Sequence, residues 1–295
     1  MEGVMMRGLQ RAAVAVRAPD GQIVIREQSL NTKRRVFWSR FPILRGIQLL
    51  GDALVIGTWA LMFSASVTEN KEEEPLTKAQ STLIILMSLA MSIGLFFVAP
   101  LLVASGLAAW FKLGTVGREV IEGFTRLLIF IGYLLLVGRM PDIRRVFGYH
   151  GAEHKAVSAY EAGVPLTTEQ VRRFTTIHPR CGTTLLLVVV VLSIPIFSTL
   201  GSFPLWIRLI SRILLVPFIA ALAYELMRLT AGHARHPVVR VLMNPALALQ
   251  RLTTREPDDA MLEVAIAALS RVLEADGQVV ETQPIAVSIK PALTS

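Results

Sequence analysis

"STLIILMSLAMSIGLFFVAPLLVASGLAAW", residues 81–110, contains no charged side chain. About 20 predominantly apolar residues are enough to cross the hydrocarbon core of a bilayer, and a helix that is apolar all round needs apolar surroundings. This run marks a membrane protein, and the composition agrees. Of 295 residues 53% are hydrophobic and 18% charged, with a mean hydropathy of +0.55, whereas soluble domains carry about 25% charge. Four more segments are apolar enough to consider, roughly 44–66, 118–138, 183–203 and 207–229.

Charge decides how many of the five cross. The formal net charge is +8 and the pI about 10.1. Lys and Arg cluster in residues 1–45, between 139 and 182, and after Arg228, while the link Ser198–Trp206 carries no charge. Short loops rich in Lys and Arg stay in the cytoplasm. If all three basic regions do so, an even number of crossings precedes residue 139. Segment 44–66 is then the one that does not cross. It holds Asp52 near its middle and three glycines, starts at Arg45 and is followed by the acidic run "ENKEEE". It reads as an interfacial or re-entrant helix, the rival being a true crossing. The expected fold is mainly α, a polytopic membrane protein with about four transmembrane helices in two pairs, 80–138 and 183–229. Glu122 and Arg126, four apart on one helix face, pair toward protein, and charge within the spans otherwise reads as sparse.

The remaining pieces suit a small α+β cytoplasmic cap. In the N-terminal region, 1–43, Val14 and Val16 alternate with small or polar residues, and Ile23 and Ile25 follow a Pro19-Asp20-Gly21 turn, which is a β-hairpin signal. In the tail, 230–295, "TTREPDDAMLEVAIAALSRVLEAD" opens with proline and acids. It continues with apolar residues at helical spacing (Met261, Val264, Ala268, Leu269, Val272), an amphipathic helix. The last twenty residues read as irregular. One cysteine, Cys181, excludes a disulfide within the chain, and no aromatic-interleaved basic motif points to nucleic acid. The expected partners are membrane lipid and an amphiphilic substrate or a protein.

The chemistry concentrates in the loop 139–182. "YHGAEHKAVSAYE", residues 149–161, contains H-x-x-E-H: His150, Glu153 and His154. Helical spacing of four puts both imidazoles on one face, where they suit zinc or a related divalent transition metal. Glu153 reaches the rim of the same site as a general base or hydrogen-bond partner. "HPRCGTT", residues 178–184, adds His178 and Cys181 at a spacing that lets both approach one ion. Each residue also has a plain structural reading: an interfacial histidine, solvated Glu153 and Lys155, a cysteine that fills space. Glu161 reads as a helix-end charge, and Glu225 as paired with Arg228 or turned toward the site.

Five separated motifs, "EGVMMRG", "YHGAEHK", "HPRCGTT", "YELMRL" and "LTTREPDD", together resemble the YqhQ family of bacterial membrane proteins, in order and over nearly the whole chain. Members of that family usually carry a short glycine-rich lead before "EGVMMRG", whereas Met1 precedes it here. The resemblance implies a multi-pass protein of the bacterial inner membrane and a metal-dependent enzyme. It points at His150, Glu153, His154, His178 and Cys181. The expected function is a membrane-embedded hydrolase with its motifs facing the cytoplasm. His150, His154 and Cys181 or His178 hold the metal, and Glu153 takes the proton. The alternative is a non-enzymatic scaffold or assembly factor with a structural metal. A transporter would want discontinuous spans, and Pro100, Pro195 and Pro217 are the residues placed to interrupt them.

Overall fold

A computed structural model describes residues 2–30, 41–68, 78–179, 181–199, 203–232 and 236–290. The run "ENKEEE" and the basic residues Lys33, Arg34, Arg35, Arg40 and Arg180 lie outside them. Three strands come first: β1 (Gly3–Arg7), β2 (Arg11–Arg17) and β3 (Ile23–Ser29). The helices are α1 (Leu44–Thr68), α2 (Lys78–Ile93), α3 (Ala99–Trp110), α4 (Thr115–Val137), α5 (Pro141–Glu161), α6 (Thr168–Arg172), α7 (Gly182–Thr199), α8 (Leu205–Gly232), α9 (Pro237–Thr253) and α10 (Asp259–Ala275). A π-helical stretch, Gly94–Val98, joins α2 to α3, and β4 (Val287–Lys290) ends the order.

The first three strands form an antiparallel meander. Its β2–β3 turn is the one the sequence predicts: Gly21 takes φ +84°, and the Asp20 carboxylate accepts the Gln22 N–H at 3.0 Å. β4 adds to β3 in parallel, pairing Ile23 with Val287 and Ile25 with Ile289. The tail is therefore not irregular throughout. A four-residue strand whose partner lies at the other end of the chain has no adjoining turn to announce it.

Side chains alternate across the sheet, and both faces are covered. Val4, Met6, Ala13, Ala15, Ile23 and Ile25 pack with α10 and α5. Val14, Val16 and Val24 pack with Ala60 and Phe63 of α1. β2 is consequently buried almost along its whole length. α10 starts where Asp258 caps the Met261 N–H at 2.8 Å, and it buries Leu262, Val264 and Ile266 completely. Each such side chain contributes about 1.5–3 kcal/mol. Asp276, just past α10, accepts the N–H groups of Leu9 and Gln10, at 2.7 and 2.9 Å, which fastens the two chain ends together. The cap thus unites segments from before α1, between α4 and α7, and after α8.

Among the described residues, five helical segments are long and apolar enough to cross a membrane: Leu44–Val67, Thr82–Trp110, Thr115–Val137, Gly182–Thr199 and Trp206–Thr230. The helices run on through Pro195 and Pro217. α1 differs from the other four in its neighbours. Its Arg45 pairs with Glu225, its Gly46 lies against the Ala221 backbone, and its Asp52 holds Arg7 at 2.5 Å. Its second half lies on the sheet, while Leu54, Val55, Leu61 and Met62 stay exposed on the other side. Glu225 therefore pairs with neither Arg228 nor the site, because Arg45 of a neighbouring helix reaches it first.

The Glu122–Arg126 pair forms at 2.7 Å. Charge within the spans is nevertheless not sparse. Arg212 binds Glu122 at 2.8 Å and Glu119 at 2.5 Å, and all three are nearly inaccessible. A buried guanidinium is tolerated in such surroundings when carboxylates and rings meet it on several sides, and Phe197 lies under Arg212 at 4.3 Å.

Candidate metal centre

The loop expected between the two pairs of spans is mostly helix. α5 begins with Pro141 at its first turn and Asp142 beside it, and ends before Gly163, which takes φ +70°. The face it turns to the cap is made of small residues: Gly148, Gly151, Ala152, Ala156 and Ala159. At Gly151 a Cβ would stand 2.1 Å from the Arg255 carbonyl oxygen. Only glycine lets the segment 253–256 pass so close, and the Arg255 N–H then donates to the Phe147 carbonyl at 2.9 Å. That crossing delivers a backbone acceptor to the first histidine.

His150 Nδ1 meets the Thr253 carbonyl at 2.9 Å, and His154 Nδ1 meets the Thr176 carbonyl at 2.6 Å. A carbonyl only accepts, so both imidazoles carry their proton on Nδ1 when neutral and keep the Nε2 lone pair. This is the orientation that metal-binding histidines adopt. His150 Nε2 lies 3.2 Å from Cys181 Sγ, the two rings are 4.4 Å apart, and the ligand atoms of His150, His154 and Cys181 all lie within 4.8 Å of one another. Zinc holds nitrogen at about 2.0–2.1 Å and sulfur at about 2.3 Å, so the set fits such an ion after a small contraction. Cys181 immediately precedes α7, and the Thr183 N–H donates to its sulfur at 3.4 Å. A helix N-terminus favours the thiolate.

The charges follow this geometry. Burial opposes ionisation of Cys181, but hydrogen bonds from His150, His154 and Thr183 outweigh it and bring the thiol down to about 5. Burial likewise opposes a charge on His150, yet Cys181, the Thr253 carbonyl and Glu153 raise it to about 9. Glu153 is pushed up by burial, with both histidines pulling the other way. A carboxyl raised in this sense holds a proton more readily than a solvated one.

A cavity of about 210 Å³ opens over the cluster, lined by His150, Glu153, His154, Glu161, His178 and Cys181 among others. His178 lies next to His154, with ring centroids 5.9 Å apart, but its Nε2 is 3.2 Å from Glu161 rather than beside the sulfur. The structure thus brings Cys181 to the two helix histidines, and sets His178 with Glu161 on the wall of the same cavity. Glu161, at the end of α5, lines this cavity as well. Lys155 points away from it, buried, donating to the Arg172 carbonyl at 2.8 Å and pairing with Glu256. It is not solvated, because it ties α5 to the segment before α10. Gln250 clamps the His178 backbone with bonds of 2.9 and 2.8 Å and also reaches Thr184. Sequence reasoning missed Thr176, Gln250 and Thr253. The first and last act through carbonyls that no side chain advertises, although Thr253 falls inside the "LTTREPDD" motif.

No solved structure matches the chain. Among curated proteins it is similar to the "Uncharacterized protein YqhQ" of Bacillus subtilis (strain 168), 33% identical over 288 residues, which is 92% of this chain and 90% of that protein. The family described as "Protein of unknown function (DUF1385)" matches residues 41–275, a stretch that contains all of α1 to α10 and every residue of the His150–His154–Cys181 cluster. On both grounds the chain belongs to the DUF1385 family, with YqhQ as a relative.

Proposed function

We propose that the chain is a membrane-embedded, metal-dependent hydrolase whose site faces the cytoplasm at the bacterial inner membrane. His150, His154 and Cys181 hold a divalent transition metal, zinc by donor type. The observation that carries this reading is the pair of Nδ1–carbonyl bonds, from Thr253 and Thr176, that leave both Nε2 atoms free beside one sulfur. When bound, such a metal supplies the Lewis acidity that makes water a nucleophile near neutral pH. Glu153, on the cavity wall with no donor to its carboxylate among the described residues, accepts the proton. Three protein donors leave a coordination position open, as catalytic zinc sites do. The substrate is an amphiphile that presents its scissile bond at the membrane face.

The sidedness rests on the cap. Its three segments pack into one body, so they share one side of the bilayer, and an even number of crossings separates them. α1 lays one face on the sheet and offers the other to lipid, which suits an in-plane helix and leaves four crossings. The Lys and Arg excess of the cap segments supports a cytoplasmic side for them.

A second reading draws on one contact. The His150–Cys181 distance of 3.2 Å, with Nδ1 fixed by Thr253, is also a nucleophile–base–orienter arrangement. Elemental analysis of the purified protein separates the two. One metal per chain, kept by Glu153→Gln and lost by His154→Ala, supports the first. If Glu153→Gln fully replaces the wild type in a deletion strain while His154→Ala fails, the metal is structural and the scaffold reading takes its place. No metal, together with loss of function on alkylation of Cys181, favours the thiol nucleophile.

A further inference from the structure

At the end of the bundle away from the cap, the polar cluster around Arg212 continues outward to Arg208. Glu122 lies 15 residues before Val137, roughly 22 Å along α4 from the cap. The cluster contains Arg118, Arg126, Arg208 and Arg212 against Glu119 and Glu122. Four guanidinium groups gather around two carboxylates. Arg126 is met by Glu122, by the Phe96 carbonyl of the π-helical stretch at 3.0 Å and by Ser193 at 3.3 Å. Arg208 is met only in part. It is 8% exposed, its Nη2 donates to Ser105 at 3.2 Å, and its buried Nε and Nη1 have no hydrogen-bond partner among the described residues.

An always-charged group with two buried donors unsatisfied is costly unless an anion completes it. The surroundings say which anion. Trp206 stands two residues before Arg208 and is 64% exposed, and Trp110, at the end of α3, is 83% exposed. Exposed tryptophans at helix ends mark the level of lipid headgroups. Arg208 therefore lies at the depth of phospholipid phosphates, in the leaflet opposite the cap. An Arg fork matches a phosphate through two parallel N–H donors.

From this geometry we infer that Arg208, backed by Arg212 and steadied by Ser105, binds the phosphodiester of an anionic phospholipid. The site is separate from the His150–His154–Cys181 cluster and does not depend on the activity proposed there. It holds a lipid in place at the far end of α4 and α8, where a purely apolar contact would leave Arg208 uncompensated.

The test uses the full chain in mild detergent, stripped of lipid, and compares wild type, Arg208→Gln, Arg208→Lys and Ser105→Ala. Phosphatidylglycerol, phosphatidylcholine and inorganic phosphate are titrated against thermal unfolding and by native mass spectrometry. The expected result is that phosphatidylglycerol binds wild type at least tenfold more tightly than Arg208→Gln, with Arg208→Lys and Ser105→Ala in between. Equal binding by wild type and Arg208→Gln overturns the proposal. So does stabilisation by inorganic phosphate with none by phosphatidylglycerol. If Arg208→Gln fails to fold, Arg208→Lys and Ser105→Ala decide, and unchanged lipid affinity in both overturns it.

Discussion

Thr253 and His150 are 103 residues apart, and the carbonyl of one accepts the Nδ1–H of the other at 2.9 Å. The bond exists because Gly151, one residue on, lets the Arg255 carbonyl lie where a Cβ would be. Gly151→Ala therefore pushes the whole segment 253–256 off α5. Overpacking of this kind costs about 1–3 kcal/mol, and here backbone meets backbone, so the upper end is expected. Loss of an orienting carbonyl should also weaken metal binding about 10–100-fold. Gly51→Ala, with nothing within 4 Å of the added carbon, is the control. Thermal unfolding and metal titration of both variants check the pair.

Under the proposed function, Cys181 is the donor that distinguishes the metal site from an all-imidazole one. Cobalt(II) loaded into the purified protein should give a thiolate-to-metal charge-transfer band. Cys181→Ser should abolish that band while leaving weak binding by His150 and His154. A band of full intensity in the serine variant would place the sulfur outside the coordination set.

In metal-free protein the sulfur and His150 form an ion pair, and its pH window follows from both groups. Cys181 falls from 9.0 to about 5 on folding, so its contribution is complete above pH 9 and fades as pH falls toward 5. His150 rises from 6.5 to about 9, so its contribution is complete below 6.5 and fades as pH rises toward 9. Between 6.5 and 9 the two slopes oppose and cancel. Stability of the apo protein should therefore rise from pH 5 to 6.5 and then level off, and Cys181→Ser should lose that rise. Ultraviolet thiolate absorbance, titrated on the native protein, should show a midpoint near 5.

Arg212 sits between Glu119 and Glu122, each nearly inaccessible. Arg212→Met leaves two buried carboxylates with one guanidinium fewer, and breaking a buried network of this kind costs about 3–5 kcal/mol. Arg173→Met, which removes an exposed pair with Glu169, should cost less than about 1 kcal/mol. Chemical unfolding in detergent micelles measures the difference.

Membrane topology gives a separate check. In a Cys181→Ser background, Ser66→Cys at the end of α1 and Ser158→Cys on α5 should react with impermeant maleimide from the same side. Reporter fusions after Arg40, Glu169 and Ala275 should all score as cytoplasmic. Labelling of Ser66→Cys from the opposite side to Ser158→Cys would make α1 a crossing.

Much of this fold is legible in the sequence because its signals are local. The turn at Pro19-Asp20-Gly21, the apolar run from Thr82 to Trp110, the helical spacing from Met261 to Val272 and the i,i+4 pairs His150–His154 and Glu122–Arg126 each need only a few neighbouring residues. What escaped is tertiary. β4 shows itself only against β3, and Glu225 only against Arg45. Arg212, in an apolar helix, carried a signal of its own, but the partners on α4 that give it meaning lie some ninety residues away.

The fastening of Leu9 and Gln10 to Asp276 has a consequence for biosynthesis. The meander made first has its two apolar faces unmet until α1, α5 and finally α10 arrive, and α10 emerges only after every apolar helix has left the ribosome. During all of that time, strands that are adhesive on both sides wait beside the translocation machinery. A truncation that removes only residues beyond Asp258 should thus leave the helices inserted while the N-terminal strands become a target for chaperones and membrane proteases.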